Sequence, residues 1–274
     1  MHLDVIQSLS IAGDSSKAND DRAGAGHAHA WVIDGATDLG EPGLLGNRGG
    51  AAWIAAEADR AFAAAPEDGS IEQTCRIVFE QVAARFAEQR TREPESWEIP
   101  SASFLAVAVA DNVVDCAWLG DCAALLIRDG EATRIGPQRD IRDDETDLAR
   151  SVSHHGLGSV KRSAPVLDVL RQARSRPGRQ VLGIDPAGAE QIYYSSQPCV
   201  AGDELLLMTD GFVAVTDLYR LIDQAALPGL LVDGGLSGIA TRLRAVEADD
   251  AECMRWPRFK QGDDATAIWL RVAA

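Results

Sequence analysis

The chain has 274 residues, of which 46% are hydrophobic and 25% charged, a balance typical of a globular protein that buries a substantial core. Its 42 acidic residues against 26 Lys and Arg give a formal net charge of −16. That charge argues against nucleic acid and anionic membrane surfaces as partners, because both bind proteins through exposed Lys and Arg side chains.

Residues 1–130 show the hydrophobic patterns of two strands, then two helices, then three further strands. The second helix is the clearest, because its apolar residues repeat with a 3.6-residue period and Ser70 with Gln73 forms a capping box at its start. Asp111-Asn112, between two apolar runs, predicts a hairpin turn. In chain order, the predicted elements are strands at 4–11 and 29–33, helices at 49–65 and 71–89, and strands at 103–110, 113–119 and 123–128.

The second half of the chain is less regular. The stretch 136–179 carries no clear pattern, and a strand is predicted after it at 204–208. Helices follow at 212–224 and 237–247, and a strand at 266–272 closes the chain. Strands in hairpin-linked series, with helices in consecutive pairs, predict an α+β fold with antiparallel sheets rather than a parallel sheet with crossover helices.

The cysteines and the absence of targeting patterns indicate a reducing compartment. The five cysteines are odd in number and no two have CxxC spacing, so we predict buried free thiols rather than disulfides or a zinc cluster. The first residues lack a basic stretch followed by an apolar one, and no apolar run is long enough to span a bilayer. We therefore expect a cytoplasmic protein.

Five apolar segments lie next to aspartates, and this is the strongest chemical signal in the sequence. A single Asp-Gly pair after a strand is usually only a turn. If the strands are neighbours in packed sheets, however, the carboxylates converge at one rim, where they repel one another unless cations neutralise them. Ligand sets made only of oxygen favour Mg²⁺, Mn²⁺ or Ca²⁺. The five segments are Asn19-Asp20-Asp21, Asp34-Gly35, Gly120-Asp121, Asp210-Gly211 and Gly262-Asp263-Asp264.

The order of these motifs resembles the type 2C, or PPM, family of metal-dependent serine/threonine phosphatases, and its bacterial members in particular. The chain reads NDD, WVIDG, WLGD, LLLMTDG and GDDAT where the family has NED or NQD, an apolar run into DG, a GDS-like turn, an apolar run into SDG, and DNxT. The resemblance implies a single domain over 1–274, built as a four-layer α-β-β-α sandwich. It also implies a flap-like insertion at 136–179.

The resemblance further implies a site for two or three Mg²⁺ or Mn²⁺ ions. Asp34 would bridge two ions, and Asp210 and Asp263 would complete the protein ligands of one of them. Asp20 and the carbonyl group of Gly35 would serve the other ion. Because Asp20 is shorter than the glutamate common in the family, we expect its ion to lie closer or to bind through water.

Four further aspartates receive supporting roles from the same resemblance. Asp21 would act with Asp34 in catalysis, by holding water at the metal site or by lying near a third ion. Asp121 would belong to that third-ion site, and Asp264 stands where the family has an asparagine beside a metal ligand. The family's leaving-group histidine is absent, so Asp38 is either a substitute acid or a solvated loop carboxylate.

The resemblance implies hydrolysis of phosphoserine and phosphothreonine on protein substrates of a cognate Ser/Thr kinase, by metal-activated water and without a phosphoenzyme. The family's usual phosphate-binding arginine is replaced here by Ser16. Lys17, Arg22 and Arg48 are the candidates to bind the phosphate instead, although a lysine does not give the bidentate contact of an arginine. A catalytically weak or inactive phosphoprotein-binding module therefore stays open as the alternative.

The flap-like stretch is basic in an otherwise acidic protein. A solvated helix face explains such a pattern in ordinary proteins. The sharper hypothesis is a docking site for acidic or phosphorylated protein, with Arg171 and Arg174 as its docking residues. The basic residues of the stretch, with one acidic residue, Asp168, among them, are Lys161, Arg162, Arg171, Arg174, Arg176 and Arg179.

Overall fold

The structure is a computed structural model that describes residues 1–67, 69–138, 143–158 and 162–274. Lys161 of the basic stretch lies outside the described residues. The strands of the described part are β1 (His2–Ile11), β2 (Asp21–Ala25), β3 (His29–Gly35), β4 (Ala102–Ala110), β5 (Val113–Leu119), β6 (Ala123–Arg128), β7 (Glu131–Ile135), β8 (Tyr193–Pro198), β9 (Glu204–Met208) and β10 (Ala265–Ala273). Its helices are α1 (Gly50–Ala63), α2 (Ile71–Gln89), α3 (Asp143–Ser151), α4 (Ala164–Arg174), α5 (Asp210–Asp217) and α6 (Leu227–Asp249).

The strands form two five-stranded sheets in which every described pairing is antiparallel. The β10 sheet has the order β1-β10-β9-β6-β7, and the β3 sheet has the order β2-β3-β4-β5-β8. The turn between β4 and β5 places Asp111 and Asn112 at φ 47° and 61°, the left-handed conformation that a two-residue hairpin turn requires. The predicted hairpin is therefore confirmed.

Helices cover the outer face of each sheet and give four layers. Helices α1 and α2 pack on the β3 sheet around Trp53, Phe79 and Phe104, all of which are almost fully buried. Helices α5 and α6 pack on the β10 sheet in a separate core that includes Phe212 and Leu243. A third core of aliphatic side chains lies between the two sheets. The predicted α-β-β-α sandwich is thus confirmed.

Several element boundaries differ from the sequence prediction. The helix predicted at 212–224 is α5, which begins at Asp210 and already ends at Asp217, and Arg220 beyond it adopts a positive φ of 50°. The helix predicted at 237–247 is longer, and Gly235 at φ 62° interrupts it near its middle. Strands β2, β7 and β8 were not predicted. They lie at sheet edges, where a half-exposed strand carries no continuous apolar run.

The stretch 136–179 is more regular than its sequence indicates, because it contains α3 and α4. Its apolar residues form a small core of their own with a later segment of the chain. Val152 and Val166 contribute from the stretch, and Cys253 and Phe259 contribute from the later segment. This small core holds the stretch beside the region that precedes β10.

All five cysteines are buried free thiols, as predicted. Burial raises the pKa of each thiol, in the case of Cys75 to about 12, so none is a thiolate at neutral pH. Among the described residues, no helix combines the length and the apolar character needed to cross a membrane.

Candidate active site

Three of the predicted aspartates meet at one end of the sandwich. Asp34 is the second-last residue of β3, Asp121 follows β5, and Asp210 begins α5. One carboxylate oxygen from each of the three lies within 4.8 Å of those of the others. The two sheets therefore bring together side chains that lie far apart in the sequence.

Asp21 joins this group from the neighbouring strand and connects the two sheets. It lies directly opposite Asp34 in the β2–β3 pairing, and it is only 1% exposed. Its Oδ2 accepts a hydrogen bond of 2.8 Å from the hydroxyl group of Thr209, which precedes α5 on the other sheet. Its Oδ1 is buried and has no hydrogen-bond partner among the described residues. A buried carboxylate oxygen of this kind is costly unless a ligand satisfies it.

The negative charges of these aspartates repel one another unless a cation neutralises them. Burial raises the pKa of Asp34 well above its usual value, and the neighbouring Asp210 and Asp21 raise it further. Burial also raises the pKa of Asp20 to about 6, with Asp264 and Asp38 adding to the effect. An oxygen-only donor set, crowded carboxylates and an unsatisfied buried oxygen together fit divalent cations of the Mg²⁺ or Mn²⁺ type.

The Gly262-Asp263-Asp264 segment reaches the group just before β10. Asp263 forms an ion pair with Lys260, with 2.5 Å between Oδ1 and Nζ. Asp264 accepts hydrogen bonds from the backbone N–H groups of Gly13 (2.9 Å) and Asp20 (2.6 Å). Asp264 therefore fixes the loop that carries Asp20, and its two oxygens are occupied by that task.

Glycines follow two of the aspartates because the backbone is too close to its neighbours for a side chain. A Cβ atom on Gly211 would lie 1.9 Å from the carbonyl oxygen of Asp264. A Cβ atom on Gly35 would lie 2.5 Å from the carbonyl oxygen of Ala51. The Asp-Gly pairs noted in the sequence thus reflect tight packing at this rim and are more than turn signals.

The aspartates line a cavity of about 400 Å³. Its acidic residues are Asp34, Asp121, Asp210 and Asp263, here called the acidic lining, and Glu247 of α6. Part of the remaining wall comes from the 136–179 stretch and is basic. This basic lining consists of Arg162, Arg174, Arg176 and Arg179.

The predicted phosphate-binding residues do not line this cavity. Lys17 is 57% exposed and pairs with Asp14, and Arg48 lies 3.8 Å from the buried Glu57. Arg22 donates hydrogen bonds to backbone carbonyl groups within its own loop. A role of these three in binding phosphate stays a prediction that their positions do not support.

Two basic residues of the cavity wall were not predicted from the sequence. Lys260 and Arg258 line it from the segment before β10. The available signal was the short distance in sequence between Lys260 and Asp263, which places both on one loop.

Arg171 and Arg174 hold the loop that follows Asp34-Gly35. Arg171 donates hydrogen bonds to the carbonyl oxygen of Leu39 and lies over the ring of Trp97 at 4.2 Å. Arg174 donates a hydrogen bond of 2.7 Å to the carbonyl oxygen of Thr37. Both guanidinium groups thus have partners within the protein, and their docking role stays a prediction.

Asp38 lies in the same loop and faces the start of α1. Its carboxylate accepts a hydrogen bond of 3.2 Å from the N–H group of Ala51, in the first turn of that helix. Burial raises its pKa, and the N–H groups of Ala51 and Gly50 partly oppose the rise. Asp38 is an exposed residue whose carboxylate is partly desolvated, so both predictions for it, a substitute acid and a solvated loop carboxylate, stay predictions.

Solved structures with the same fold are phosphatases. The chain is similar over its whole length to the Mycobacterium tuberculosis serine/threonine phosphatase PstP/Ppp, at 19% identity, full coverage of both chains and a TM-score of 0.61. The catalytic domain of PstP in complex with two manganese ions matches at 18% identity, with 99% and 100% of the two chains covered and a TM-score of 0.57. The PPM Ser-Thr phosphatase MsPP from Mycobacterium smegmatis matches at 21%, with 99% and 100% coverage and a TM-score of 0.55.

These similarities establish the fold, and the family follows from the sequence itself. No curated protein sequence matches the chain significantly. The sequence profile described as Protein phosphatase 2C, in contrast, matches residues 13–228. That match covers most of the chain and includes four of the five aspartate segments. The chain therefore belongs to the protein phosphatase 2C family of metal-dependent phosphatases.

Proposed function

We propose that this protein hydrolyses phosphoserine and phosphothreonine in other proteins, with Mg²⁺ or Mn²⁺ as cofactor and without a phosphoenzyme. The convergence of the Asp34, Asp121 and Asp210 carboxylates within 4.8 Å is the observation that carries the proposal. When bound, two or three such ions supply Lewis-acid activation of water and neutralise charge on the phosphoryl oxygens.

Each aspartate of the site has a distinct proposed task. Asp34 would be the shared ligand, and Asp210 and Asp263 would hold one ion with it. Asp20 and the carbonyl group of Gly35 would hold a second ion. The hydrogen bond of Gly35 N–H to the carbonyl oxygen of Asp20 supports this assignment, because it places the two ligands side by side.

A third ion and the attacking water involve two further aspartates. Asp121 lies close enough to Asp34 and Asp210 to share an ion with them. Asp21, anchored by Thr209, presents its Oδ1 as a buried hydrogen-bond acceptor toward the same group. We propose that Asp21 orients water and accepts its hydrogen bond at Oδ1. The protein itself needs to supply no nucleophile.

The alternative of an inactive phosphoprotein-binding module is not favoured, because the chain keeps its aspartates and folds them together. The discriminating experiment is hydrolysis of p-nitrophenyl phosphate with Mn²⁺ added and then removed by EDTA. We expect turnover that depends on the metal and is restored when Mn²⁺ is returned. A folded wild-type protein that binds Mn²⁺ but never hydrolyses the ester would contradict the proposal.

We also propose that residues 1–274 act as one phosphatase domain and that 136–179 is its flap. Helix α4 supports this, because it packs beside the cavity and contributes Leu170, Ala173 and Arg174 to its lining. Alanine at Arg162 and Arg176, which line the cavity, with Arg171 and Arg174 kept in place, should retain hydrolysis of a small aryl phosphate and change the choice among phosphoproteins. An unchanged choice among phosphoproteins would argue against a flap role.

We further propose that the protein acts in cytoplasmic signalling, opposite a cognate Ser/Thr kinase. Five buried free thiols support a reducing compartment. Cell fractionation with an antibody to the protein tests the compartment. Phosphoproteome comparison of wild-type and deletion cells tests the pairing, since substrates of the kinase should gain phosphate in the deletion strain.

A further inference from the structure

One basic side chain, that of Lys260, lies beside the aspartates that the proposed function assigns to metal ions. Lys260 lines the cavity, and its Nζ lies 2.5 Å from Oδ1 of Asp263. About a third of the side chain, 34%, is exposed, so the ammonium group borders both the aspartates and the open cavity. A lysine in this position borders both the aspartates that would bind metal ions and the space that a substrate would enter.

The backbone around Lys260 is fixed, and the side chain is the part free to change partners. Arg258 donates hydrogen bonds to the carbonyl oxygens of Gln261 and Asp250, and it forms an ion pair with the Asp250 carboxylate at 2.6 Å. Phe259 is buried in the small core under the flap. These contacts hold the loop on both sides of Lys260, whose flexible four-carbon stem carries three rotatable donors.

The aspartates keep Lys260 charged. Burial alone would lower its pKa, but the charges of Asp263, Asp34 and Asp210 outweigh that effect and raise it above the usual lysine value. The ammonium group thus acts as a counter-ion for these three aspartates. A divalent cation that binds Asp263 competes with Lys260 for the same carboxylate, since both are attracted to one charge.

We propose that Lys260 exchanges partners, pairing with Asp263 in the metal-free protein and with the substrate phosphoryl group once metal has taken Asp263. This inference rests on the proposed function. A phosphoryl group is dianionic or nearly so, and a charge-assisted hydrogen bond from a lysine in the cavity is the contact that it requires. Lys260 is then both a competitor of the metal and a ligand of the substrate.

The exchange predicts opposite effects on two ligands when the charge is removed. In Lys260→Met, Mn²⁺ should bind the metal-free protein about fivefold more tightly by calorimetry, because the competing ammonium group is gone. Inorganic phosphate should bind the Mg²⁺-loaded variant about tenfold more weakly, seen as a smaller phosphate-dependent rise in melting temperature. A purely structural role would weaken the binding of both ligands.

The matched control removes a charge elsewhere. Arg271→Met deletes an exposed cation on β10 that pairs with Glu204, and it should leave both affinities unchanged. If Lys260→Met does not melt cooperatively, the same titrations on Lys260→Gln decide the question. Unchanged binding of either ligand, or weaker binding of both, overturns the inference. Absence of hydrolysis by wild-type protein would instead overturn the proposed function, since neither titration depends on turnover.

Discussion

The acidic and the basic linings of the cavity are built in different ways. The acidic lining comes from residues at or beside the ends of strands, whose positions follow from the register of two sheets and from backbone contacts closer than any side chain permits. The basic lining comes from α4 and the segments directly before and after it, which are held by a small core and by two arginines bound to backbone carbonyl groups. The two sheets thus position the metal-binding aspartates, and a separately packed segment borders them. Basic residues of this segment that do not hold the loop after Asp34 can therefore vary without disturbance of the metal ligands.

Loss of a carboxylate in the acidic lining should have the largest effect. Asp34→Asn removes the shared ligand, and we expect activity toward p-nitrophenyl phosphate to fall by about a thousandfold or more, because several kcal/mol of charge stabilisation are lost. The metal-free variant should melt at a higher temperature than wild type, since one repelling charge is gone. Kinetics and melting curves in EDTA check both. A variant that keeps its activity would remove Asp34 from the site.

Loss of the hydrogen bond that anchors Asp21 should have the second-largest effect. Thr209→Val removes the hydrogen bond to Asp21, and we expect activity to fall by about ten- to a hundredfold and stability by about 1–3 kcal/mol. Thr209→Ser should restore most of both. The matched control is Thr216→Val, a buried threonine in α5 that donates a hydrogen bond to the carbonyl oxygen of Val213. That control should lose stability but keep its activity, so equal losses of activity would contradict a specific role for Thr209.

Changes in the basic lining should be smaller and selective. Arg176 is exposed and lines the cavity, so Arg176→Glu should raise KM several-fold for an acidic phosphopeptide and leave KM for p-nitrophenyl phosphate unchanged. Arg171→Ala, in contrast, should affect both substrates alike, because it loosens the loop after Asp34. Steady-state kinetics with the two substrates separate the cases. The reverse pattern would restore Arg171 as a docking residue.

The dependence of stability on pH should be the smallest effect. Asp20 has a folded-state pKa of about 6, above its usual 3.8, so the folded metal-free protein binds a proton that the unfolded chain releases. The resulting stabilisation is complete below the unfolded pKa and is lost as pH rises through about 6. Melting temperatures in EDTA should therefore rise from pH 7.5 to pH 5.5, and Asp20→Asn should reduce the change. With Mn²⁺ present the trend should reverse, because protons then compete with the metal.

The sequence predicted the acidic lining better than any other part of the site. Apolar runs that end in Asp34, Asp121 and Asp210 carry a strand signal and a carboxylate together, so their convergence was accessible from pattern alone. The same reasoning overlooked Lys260, because it lies in a segment without periodicity, where only the fold shows what a side chain contacts. Arg171 was assigned to docking, since its bonds to a loop far away in sequence leave no local signal.

Edge strands and helix ends were the weak points of the fold prediction. The tyrosine-rich β8 is mostly exposed at the edge of its sheet, so it lacks the apolar run that marked β4 and β5. The helix predicted at 212–224 runs past Arg220, and the helix predicted at 237–247 begins after Gly235, where a positive φ interrupts α6. Central strands were predicted to within about one or two residues, because burial on both faces makes their hydrophobic runs continuous.

The two hydrogen bonds that Asp264 accepts make the site depend on the segment before β10. They connect that segment to a loop close to the first strand, and β10 lies between β1 and β9 in its sheet. A truncated chain without residues 260–273 therefore has an unanchored Asp20 and no Asp263. Such a truncation should remove metal binding together with a strand that joins β1 to the rest of its sheet.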